Sequence, residues 1–435
     1  MKKIFFVFFL SAFGSFHAQS PKDYAKQVIT TLSSSEFSGR GYVDDGMKKA
    51  AKEVASQFEK IGLQKFNNSY FQTFTYPVNI IESGSLKING KELRFGTDYL
   101  IGAGSPSLTA NYDNPLIFNT SVMDSLYLSD ENSYLYQEMD RIDGHVVVFP
   151  EAHFPENLIN DSGSAQEFYS AIPQMIADGS MENHIPLIVQ LTSSKFVHTI
   201  STIQTKTVDL FVKNDAVSGE VKNIAVDIKS RYDSAFQAQN VIGVIKGQRS
   251  DSLIVLAAHY DHLGKINNVI FPGANDNASG VAFILSLAKV YAKEKPKFDM
   301  VFIAFGGEEA GLKGSQYFVS QPFIDLKKIK FLINFDMVGT GEDGIQVVNG
   351  KEFPKQFEKL EAINYNYQYL KEVKIRGAAC NSDHCPFYEK GVPSFFVYTL
   401  GGSPAYHDIN DTAESPSLYA FNKLTALFTK FIDGL

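Results

Sequence analysis

Short runs of apolar residues mark the second half of the chain, at 253–258, 300–305, 331–335 and 394–398. These runs contain very few polar positions. A strand that is covered on both faces loses the alternation of apolar and polar residues, so continuous apolar runs are typical of the centre of a sheet. The pattern therefore predicts four buried strands.

Other segments of the chain have the periodicity of helices. Apolar residues recur three and four positions apart over 278–292 and from about 418 to 432, and again over 47–61, where Gly62 is placed to end a helix. The alternation of strands and helices predicts an α/β fold with a mixed, largely parallel sheet flanked by helices. In such sheets, ligands bind outside the carboxyl ends of the strands.

The first half of the chain divides into two parts. Residues 19 to about 76 have mainly helical character, whereas the following segment carries short β-like runs, such as 145–149 and 185–191, between polar loops. We therefore expect a smaller β-rich domain inserted into the main one. The predicted boundaries are 19–80 for the N-terminal part of the main domain, 81–219 for the insertion and 220–435 for the remainder.

Residues 1–18 have the pattern of a secretory signal peptide. Lys2 and Lys3 precede an apolar stretch over 4–16, and Ala18 offers a small residue at the cleavage point. The stretch is too short to span a bilayer, which takes about 20 residues. The sequence thus predicts a secreted or periplasmic protein with no stable membrane insertion after cleavage.

Charge and cysteine content exclude some classes of function. The net charge of −8 and the absence of a Lys/Arg cluster argue against nucleic acid as a partner. Cys380 and Cys385 are the only cysteines, too few for a disulfide framework. In an exported protein they could close a small loop, and a thiol pair that binds metal is the weaker alternative.

Imidazole and carboxylate side chains follow the predicted strands or lie in nearby loops. Histidine and carboxylate are the ligands that catalytic zinc takes. Five such ligands are too many for one open zinc, but they suit two zinc ions that share a carboxylate. The polar residues that carry this prediction come from five segments, which supply His259 with Asp261, Asp276, Glu308 with Glu309, Asp336, and His407.

Each residue taken alone also has an ordinary interpretation. Asp276 could cap a helix, His259 could be a hydrogen-bonded loop residue, and the pair Glu308 and Glu309 could form a solvated turn. Several carboxylates at the ends of buried strands would be costly to desolvate without a cation. The combination therefore favours a metal site.

The segments that carry these residues resemble, in order, the motifs of the M28 family of zinc peptidases. The resemblance covers the ends of the mature chain and the whole C-terminal half, and it is weakest from about 81 to 219. It implies the zinc-peptidase α/β/α sandwich, with a protease-associated-like domain as the insertion. The matching segments are FSGRG at 37–41, AHYDH at 258–262, GANDNASG at 273–280, GGEE at 306–309, NFDM at 334–337, SDH at 382–384, GVP at 391–393 and YHD at 406–408.

The resemblance implies two Zn²⁺ per chain and a distribution of their ligands. His259 and Asp336 would bind one ion, and Glu309 and His407 would bind the other. Asp276 would bridge the two ions.

The resemblance also implies roles for residues around the metals. Glu308 would be the general base, and Asp261 would orient His259. Tyr406 is a candidate donor to the oxyanion of the tetrahedral intermediate, or a packing residue. His262 and His384 are additional histidines, for which a hydrogen-bonding or shape role is expected.

The expected activity is that of an exported metallo-aminopeptidase, which removes the N-terminal residue of peptides with a free N-terminus by means of a water bridged between two zinc ions and a Glu base. One alternative is a glutaminyl-peptide cyclotransferase-like enzyme, which resembles these peptidases but keeps one zinc. Another is a carboxypeptidase or dipeptidase on the same fold. A non-catalytic binding protein is less expected, because Glu308 is present.

Overall fold

The computed structural model describes residues 19–119, 121, 132–151, 171–178 and 184–435 of the 435-residue chain. The predicted signal peptide at 1–18 lies outside the described residues. Among the described helices, none is both long and apolar enough to cross a membrane.

The described residues form strands and helices throughout the chain. The strands are β1 Gln64–Lys65, β2 Phe71–Ile88, β3 Lys91–Leu93, β4 Tyr99–Ile101, β5 Leu108–Asp113, β6 Leu116–Ile117, β7 Val147–Phe149, β8 Leu187–Thr192, β9 Val208–Lys213, β10 Asn223–Ile245, β11 Arg249–His259, β12 Gly264–Ile266, β13 Val269–Phe271, β14 Phe298–Phe305, β15 Ile329–Phe335, β16 Gly344–Val348, β17 Val373–Ile375 and β18 Ser394–Leu400. The α-helices are Pro21–Leu32, Gly46–Ile61, Asn132–Ile142, Ser279–Tyr291, Lys313–Ser320, Pro354–Tyr367, His384–Glu389 and Phe421–Asp433, and residues 171–177 are also helical.

An 11-stranded mixed sheet organises the molecule. Its strands follow the order β17-β16-β18-β15-β11-β14-β10-β2-β3, and β1 and β5 also pair with β10. At the centre, β11 runs parallel to β14 and β15, and β15 runs parallel to β18. The four strands predicted from the apolar runs are these parallel central strands, and their carboxyl ends meet at one edge.

Helices cover both faces of the central strands. Even-numbered residues of β11 from 254 to 258 pack beneath the helix Ser279–Tyr291, in a core that also includes buried residues of the helix Phe421–Asp433. Odd-numbered residues from 253 to 257 pack on the opposite face, with Phe318 and Phe387. Burial on both faces explains why these strands are apolar at every position.

The helical character expected for residues 19 to about 76 is wrong beyond Ile61. The helix Gly46–Ile61 ends at Gly62, whose left-handed backbone (φ 95°) suits glycine. β2 then begins at Phe71, where buried Phe74 and Tyr76 alternate with exposed threonines. Such alternation is typical of a half-buried strand, so the sequence contains the signal for β2.

A second sheet lies within the segment predicted as an insertion. It has 5 strands in the order β4-β9-β8-β7-β6. Val147 packs in a separate cluster on one side, whereas Leu187 and Leu210 pack in a cluster shared with β2 and β10. The two long strands β2 and β10 flank this segment in sequence and pair antiparallel from Phe71 opposite Val241 to Ile88 opposite Ile224. The boundaries 81–219 remain a prediction.

Candidate metal centre

The predicted ligands lie at the carboxyl edge of the central parallel strands. His259 is the last residue of β11, Glu308 follows β14, and Asp336 directly follows β15. Because these three strands are neighbours and run in the same direction, their ends bring the three side chains together. The pattern of one polar residue after each strand therefore produces a single site.

Asp276 lies between the two predicted histidine ligands. Its Oδ1 is 3.5 Å from Nε2 of His259, and its Oδ2 is 3.1 Å from Nε2 of His407. The carboxylate is 3% exposed. Each oxygen of one buried carboxylate thus faces a different imidazole, which is the arrangement that a carboxylate shared by two cations requires.

The backbone around Asp276 is fixed by two buried charged residues. Asp411 accepts hydrogen bonds from the backbone N–H groups of Asn275 and Asp276. Arg40 is fully buried and donates to five backbone carbonyl oxygens. These acceptors belong to Leu32, Tyr260, Pro272, Gly273 and Asp276.

The two histidines present the same ring nitrogen to the site. Nδ1 of His407 donates to the carbonyl oxygen of His198 at 3.0 Å, which leaves Nε2 to face Asp276 and Glu309, each at 3.1 Å. In His259, Nδ1 lies 3.3 Å from the carbonyl oxygen of Asp261. A hydrogen bond at one ring nitrogen fixes the tautomer and leaves the other nitrogen available as a metal ligand.

Asp336 completes the group around His259. Its Oδ1 is 3.3 Å from Nε2 of His259, and no hydrogen-bond donor contacts this buried oxygen among the described residues. Its Oδ2 accepts a hydrogen bond from Ser382 at 3.0 Å, and Asn334 donates to Ser382 in turn. The free oxygen of Asp336 is therefore oriented toward the interior of the site.

Asp261 holds the turn that carries the two glutamates. Its carboxylate accepts from the backbone N–H of Glu308 at 3.2 Å and from that of Glu309 at 3.3 Å. Gly307, with φ +73°, allows the chain to turn there. The same carboxylate lies 3.8 Å from Nδ1 of His259, so the closest contacts of Asp261 are with the glutamate turn.

His262 contacts one of the predicted ligands. Its Nδ1 is 2.6 Å from Oε1 of Glu309, while Oε2 of Glu309 faces His407. The ring is fully buried. This contact agrees with the hydrogen-bonding role expected for His262, although its Nε2 has no partner among the described residues.

The charges in the site are strongly coupled. Burial acts against the imidazolium form of His407, but Glu309 and Asp276 outweigh it and raise the pKa of His407 to about 11. Burial also acts to raise the pKa of Glu309, but His407 and His262 outweigh it and hold that pKa well below its usual value. Positive charge therefore stabilises the buried carboxylates of the candidate metal centre, and bound metal cations would supply that charge.

Glu308 differs electrostatically from its neighbour. Burial raises the pKa of Glu308 well above its usual value, and His259 opposes the shift. Its Oε2 is 3.9 Å from Nε2 of His259, farther than the corresponding oxygens of Asp276 and Asp336. Glu308 is thus beside the predicted ligands but less closely grouped with them.

An open cavity of about 440 Å³ leads to these side chains, and Tyr406 lies on its wall. The Tyr406 ring stacks on the imidazole of His407, with 4.0 Å between ring centroids, and it is 43% exposed. Burial and the nearby carboxylates raise the pKa of Tyr406, which keeps its hydroxyl protonated. The hydroxyl can therefore donate a hydrogen bond.

The two cysteines form a disulfide. It closes a short loop from Cys380 to Cys385 that carries Ser382, the donor to Asp336. His384 in the same loop is buried with its ring 5.3 Å from that of Phe396, a packing role. The small loop anticipated from the sequence is thus adjacent to the candidate metal centre.

Several residues of the site were not assigned a role from the sequence. Arg40 and Ser382 lie in segments that resemble family motifs, FSGRG and SDH, so a signal for them was present. Asp411 accepts a hydrogen bond from the backbone N–H of Asp276, and His198 contacts His407 through its backbone carbonyl oxygen. Nothing in the sequence around Asp411 or His198 indicates these contacts.

Comparison with known families gives a direct match. Residues 240–432, which contain every predicted metal ligand, match the model of Peptidase family M28. Over these residues the chain is similar to Peptidase family M28, and the match covers less than half of the chain. The resemblance inferred from the motifs is confirmed.

Curated relatives of this M28 domain match over part of their length. Aminopeptidase YwaD of Bacillus subtilis is 31% identical over 191 residues, which are 41% of this chain and 40% of that protein. A probable leucine aminopeptidase of Arthroderma otae is 31% identical over 209 residues, 46% of this chain and 58% of that protein. The chain thus spans about half the length, or less, of the curated relatives that it matches.

Solved structures of similar fold align over nearly the whole chain. BSAP, a zinc aminopeptidase from Bacillus subtilis, is 20% identical with a TM-score of 0.66, and the alignment covers 95% of this chain and 96% of that one. A peptidase M28 precursor from Shewanella amazonensis is 16% identical with a TM-score of 0.69, over 94% and 92% of the two chains. The predicted α/β fold with a mixed sheet flanked by helices is confirmed.

Proposed function

We propose that this chain is an exported aminopeptidase that removes the N-terminal residue of peptides with the help of two zinc ions. The observation that carries the proposal is the position of Asp276, whose two oxygens face His259 and His407 separately. The similarity of the M28 domain to proteins named as zinc metalloproteases and aminopeptidases supports both zinc and peptide substrates.

The donor set fits two zinc ions. His259 and Asp336 would hold one, Glu309 and His407 would hold the other, and Asp276 would contact both. Oδ1 of Asp336 is buried and meets no donor in the described part of the chain, and Nε2 of His407 faces two carboxylates, so these atoms are available as ligands. When bound, two zinc ions activate a water molecule and polarise the carbonyl group of the scissile bond.

The side chains of this chain would then supply the proton transfers and the orientation. Glu308 accepts a proton from the attacking water and returns it to the leaving amine. Asp261 holds Glu308 in place through its backbone N–H. The hydroxyl of Tyr406, protonated and on the cavity wall, donates to the oxygen of the former carbonyl group.

Export is part of the proposal, and the signal-like pattern of residues 1–18 supports it. We assign the segment 81–219 to a protease-associated-like domain. His198, in this segment, contacts His407 through two hydrogen bonds, so the domain would affect the site directly. Cell fractionation tests the export, since a cytoplasmic location of the full-length chain would contradict it.

A defined peptide mixture tests the activity. The chain from Gln19 onward is incubated with peptides that have free N-termini, acetylated N-termini or N-terminal Gln, and products are read by mass spectrometry with and without a chelator. We expect loss of one residue from free N-termini only, abolished by the chelator and restored by zinc. Loss of ammonia from the Gln peptide alone would indicate a cyclotransferase, and loss of C-terminal residues a carboxypeptidase. If no product forms from any peptide, the result would favour a non-catalytic binding protein.

A further inference from the structure

Arg376 lies on the wall of the cavity that leads to the metal centre. It directly follows β17, an edge strand of the large sheet. Its backbone N–H donates to Val347 at 2.9 Å, and its carbonyl oxygen accepts from Lys351. The backbone of Arg376 is therefore anchored, although its side chain is exposed to the cavity.

The guanidinium of Arg376 has no acidic partner among the described residues. Its one side-chain hydrogen bond within that part of the chain is from Nη1 to the hydroxyl of Tyr398, at 3.3 Å. The two lysines that precede it in the chain differ, because Lys371 pairs with Asp343 and Lys374 pairs with Glu372. A cation in this position retains its capacity to bind an anion.

The other described residues that line the cavity do not form an ion pair with Arg376. Four carboxylates are among its described lining residues, and all four belong to the candidate metal centre or to its proposed base. Apart from the two histidines of the candidate metal centre, the rest of the described wall is uncharged and includes Leu312, Met337, Phe396 and Asn381. Arg376 is thus the single arginine or lysine among the described lining residues, in a cavity of the size that a few amino-acid residues fill.

On the basis of the proposed peptidase function, we infer that Arg376 is a specificity-determining residue that binds a carboxylate of the peptide substrate. The planar guanidinium matches a carboxylate with two parallel hydrogen bonds. The hydrogen bond to Tyr398 restricts the rotation of the guanidinium and lowers the ordering cost of binding. The carboxylate has two sources in peptides, the side chain of an N-terminal Asp or Glu and the C-terminal α-carboxylate of a dipeptide.

The experiment compares matched substrates. One pair differs in the side chain, with Asp or Asn at the N-terminus of an amidated peptide. The other pair differs in the C-terminus, as the free acid or the amide of Leu-Leu. The quantity measured is the ratio of kcat/KM within each pair, for the wild type, Arg376→Gln, Arg376→Lys and the control Lys374→Gln.

We expect one of the two ratios to exceed unity in the wild type and to fall about 10-fold or more in Arg376→Gln, as loss of a hydrogen-bonded charge pair predicts. The pair that changes identifies the source of the carboxylate. Arg376→Lys keeps the charge but loses the planar pair of donors, so it should retain part of the preference for the substrate that carries the carboxylate. Lys374→Gln removes the same charge from β17 outside the cavity and should leave both ratios unchanged.

Failure of this inference and failure of the proposed function give different results. Hydrolysis of the neutral peptides with both ratios unaffected by Arg376→Gln overturns the role of Arg376 alone. Absence of hydrolysis of all four peptides by the wild type overturns the proposed function. In that case isothermal titration calorimetry measures the affinity for the Asp and Leu-Leu peptides and decides whether Arg376 binds a carboxylate. Equal affinities for the wild type and Arg376→Gln would rule out the carboxylate site. Thermal unfolding verifies that each variant is folded.

Discussion

At the level of single residues, hydrogen bonds on the side away from the site orient the proposed metal ligands. Nδ1 of His407 is engaged by His198, and one carboxylate oxygen of Asp336 is engaged by Ser382, so the opposite atoms of both residues face inward. Such supporting contacts fix ligand orientation and are part of the site as much as the ligands are. Glu308 has a different role, because only its protonation chemistry is proposed to matter.

Substitution of Glu308 by Gln tests that role. Glu308→Gln keeps the shape of the side chain and removes only the proton acceptor, so metal content and fold should persist while kcat falls about 10²- to 10⁴-fold. Steady-state kinetics and metal analysis measure the two effects. Glu361→Gln, an exposed position on the helix Pro354–Tyr367, is the control. Near-wild-type turnover in Glu308→Gln would contradict the assignment.

Arg40 makes a second prediction at this scale. Arg40→Met should lower the free energy of unfolding by several kcal/mol, since each buried carbonyl left without a donor costs about 1–3 kcal/mol. Arg40→Lys should recover little, because an ammonium cannot reach five acceptors arranged around a planar fork. Urea unfolding, with the exposed Arg231→Lys as the control, gives the comparison. A change below about 0.5 kcal/mol, typical of surface substitutions, would refute the structural role.

Among the elements, the segment between β8 and β9 has the most direct effect on the site. His198 and His407 exchange two hydrogen bonds, in which the N–H of His198 donates to the carbonyl oxygen of His407 and Nδ1 of His407 donates to that of His198. Three residues earlier, Lys195 pairs with the buried Asp408 at 2.7 Å. A loop from the second sheet thus holds the loop that carries a proposed metal ligand.

Removal of the Lys195 charge should weaken this attachment. Lys195→Gln is expected to reduce zinc affinity about fivefold, because a partly exposed ion pair contributes at most about 1 kcal/mol and His198 keeps its own hydrogen bonds. Competition with a chromophoric chelator measures the affinity. The exposed Lys206→Gln in the same segment is the control. Equal zinc affinity in Lys195→Gln and the control would show that the ion pair does not support the His407 loop.

For the whole molecule, metal binding and folding should be linked. The site joins the ends of three central strands to two loops, so ions bound there stabilise the folded state but not the unfolded one. We expect a chelator to lower the Tm of the wild type, by several degrees when the metal is present at about 100 times its Kd.

The variant Asp276→Ala tests the same link between metal binding and stability. It removes the carboxylate that both ions would share, so it should lose metal and have a Tm close to that of the chelated wild type. Calorimetry with and without chelator, together with metal analysis, measures both quantities. A chelator-induced fall in Tm that is as large in Asp276→Ala as in the wild type would exclude Asp276 as the shared ligand.

The sequence alone determined the central strands and the candidate residues of the site. Burial on both faces removes the polar alternation from β11, β14 and β15, so these strands are recognisable as apolar runs, and their ends carry proposed metal ligands. The tertiary structure decided how those groups are supported. The carbonyl oxygen of His198, the five acceptors of Arg40 and the position of Arg376 beside Tyr398 depend on pairings between segments far apart in the chain. Backbone carbonyls carry no side-chain signature, so only the folded chain shows which residues they meet.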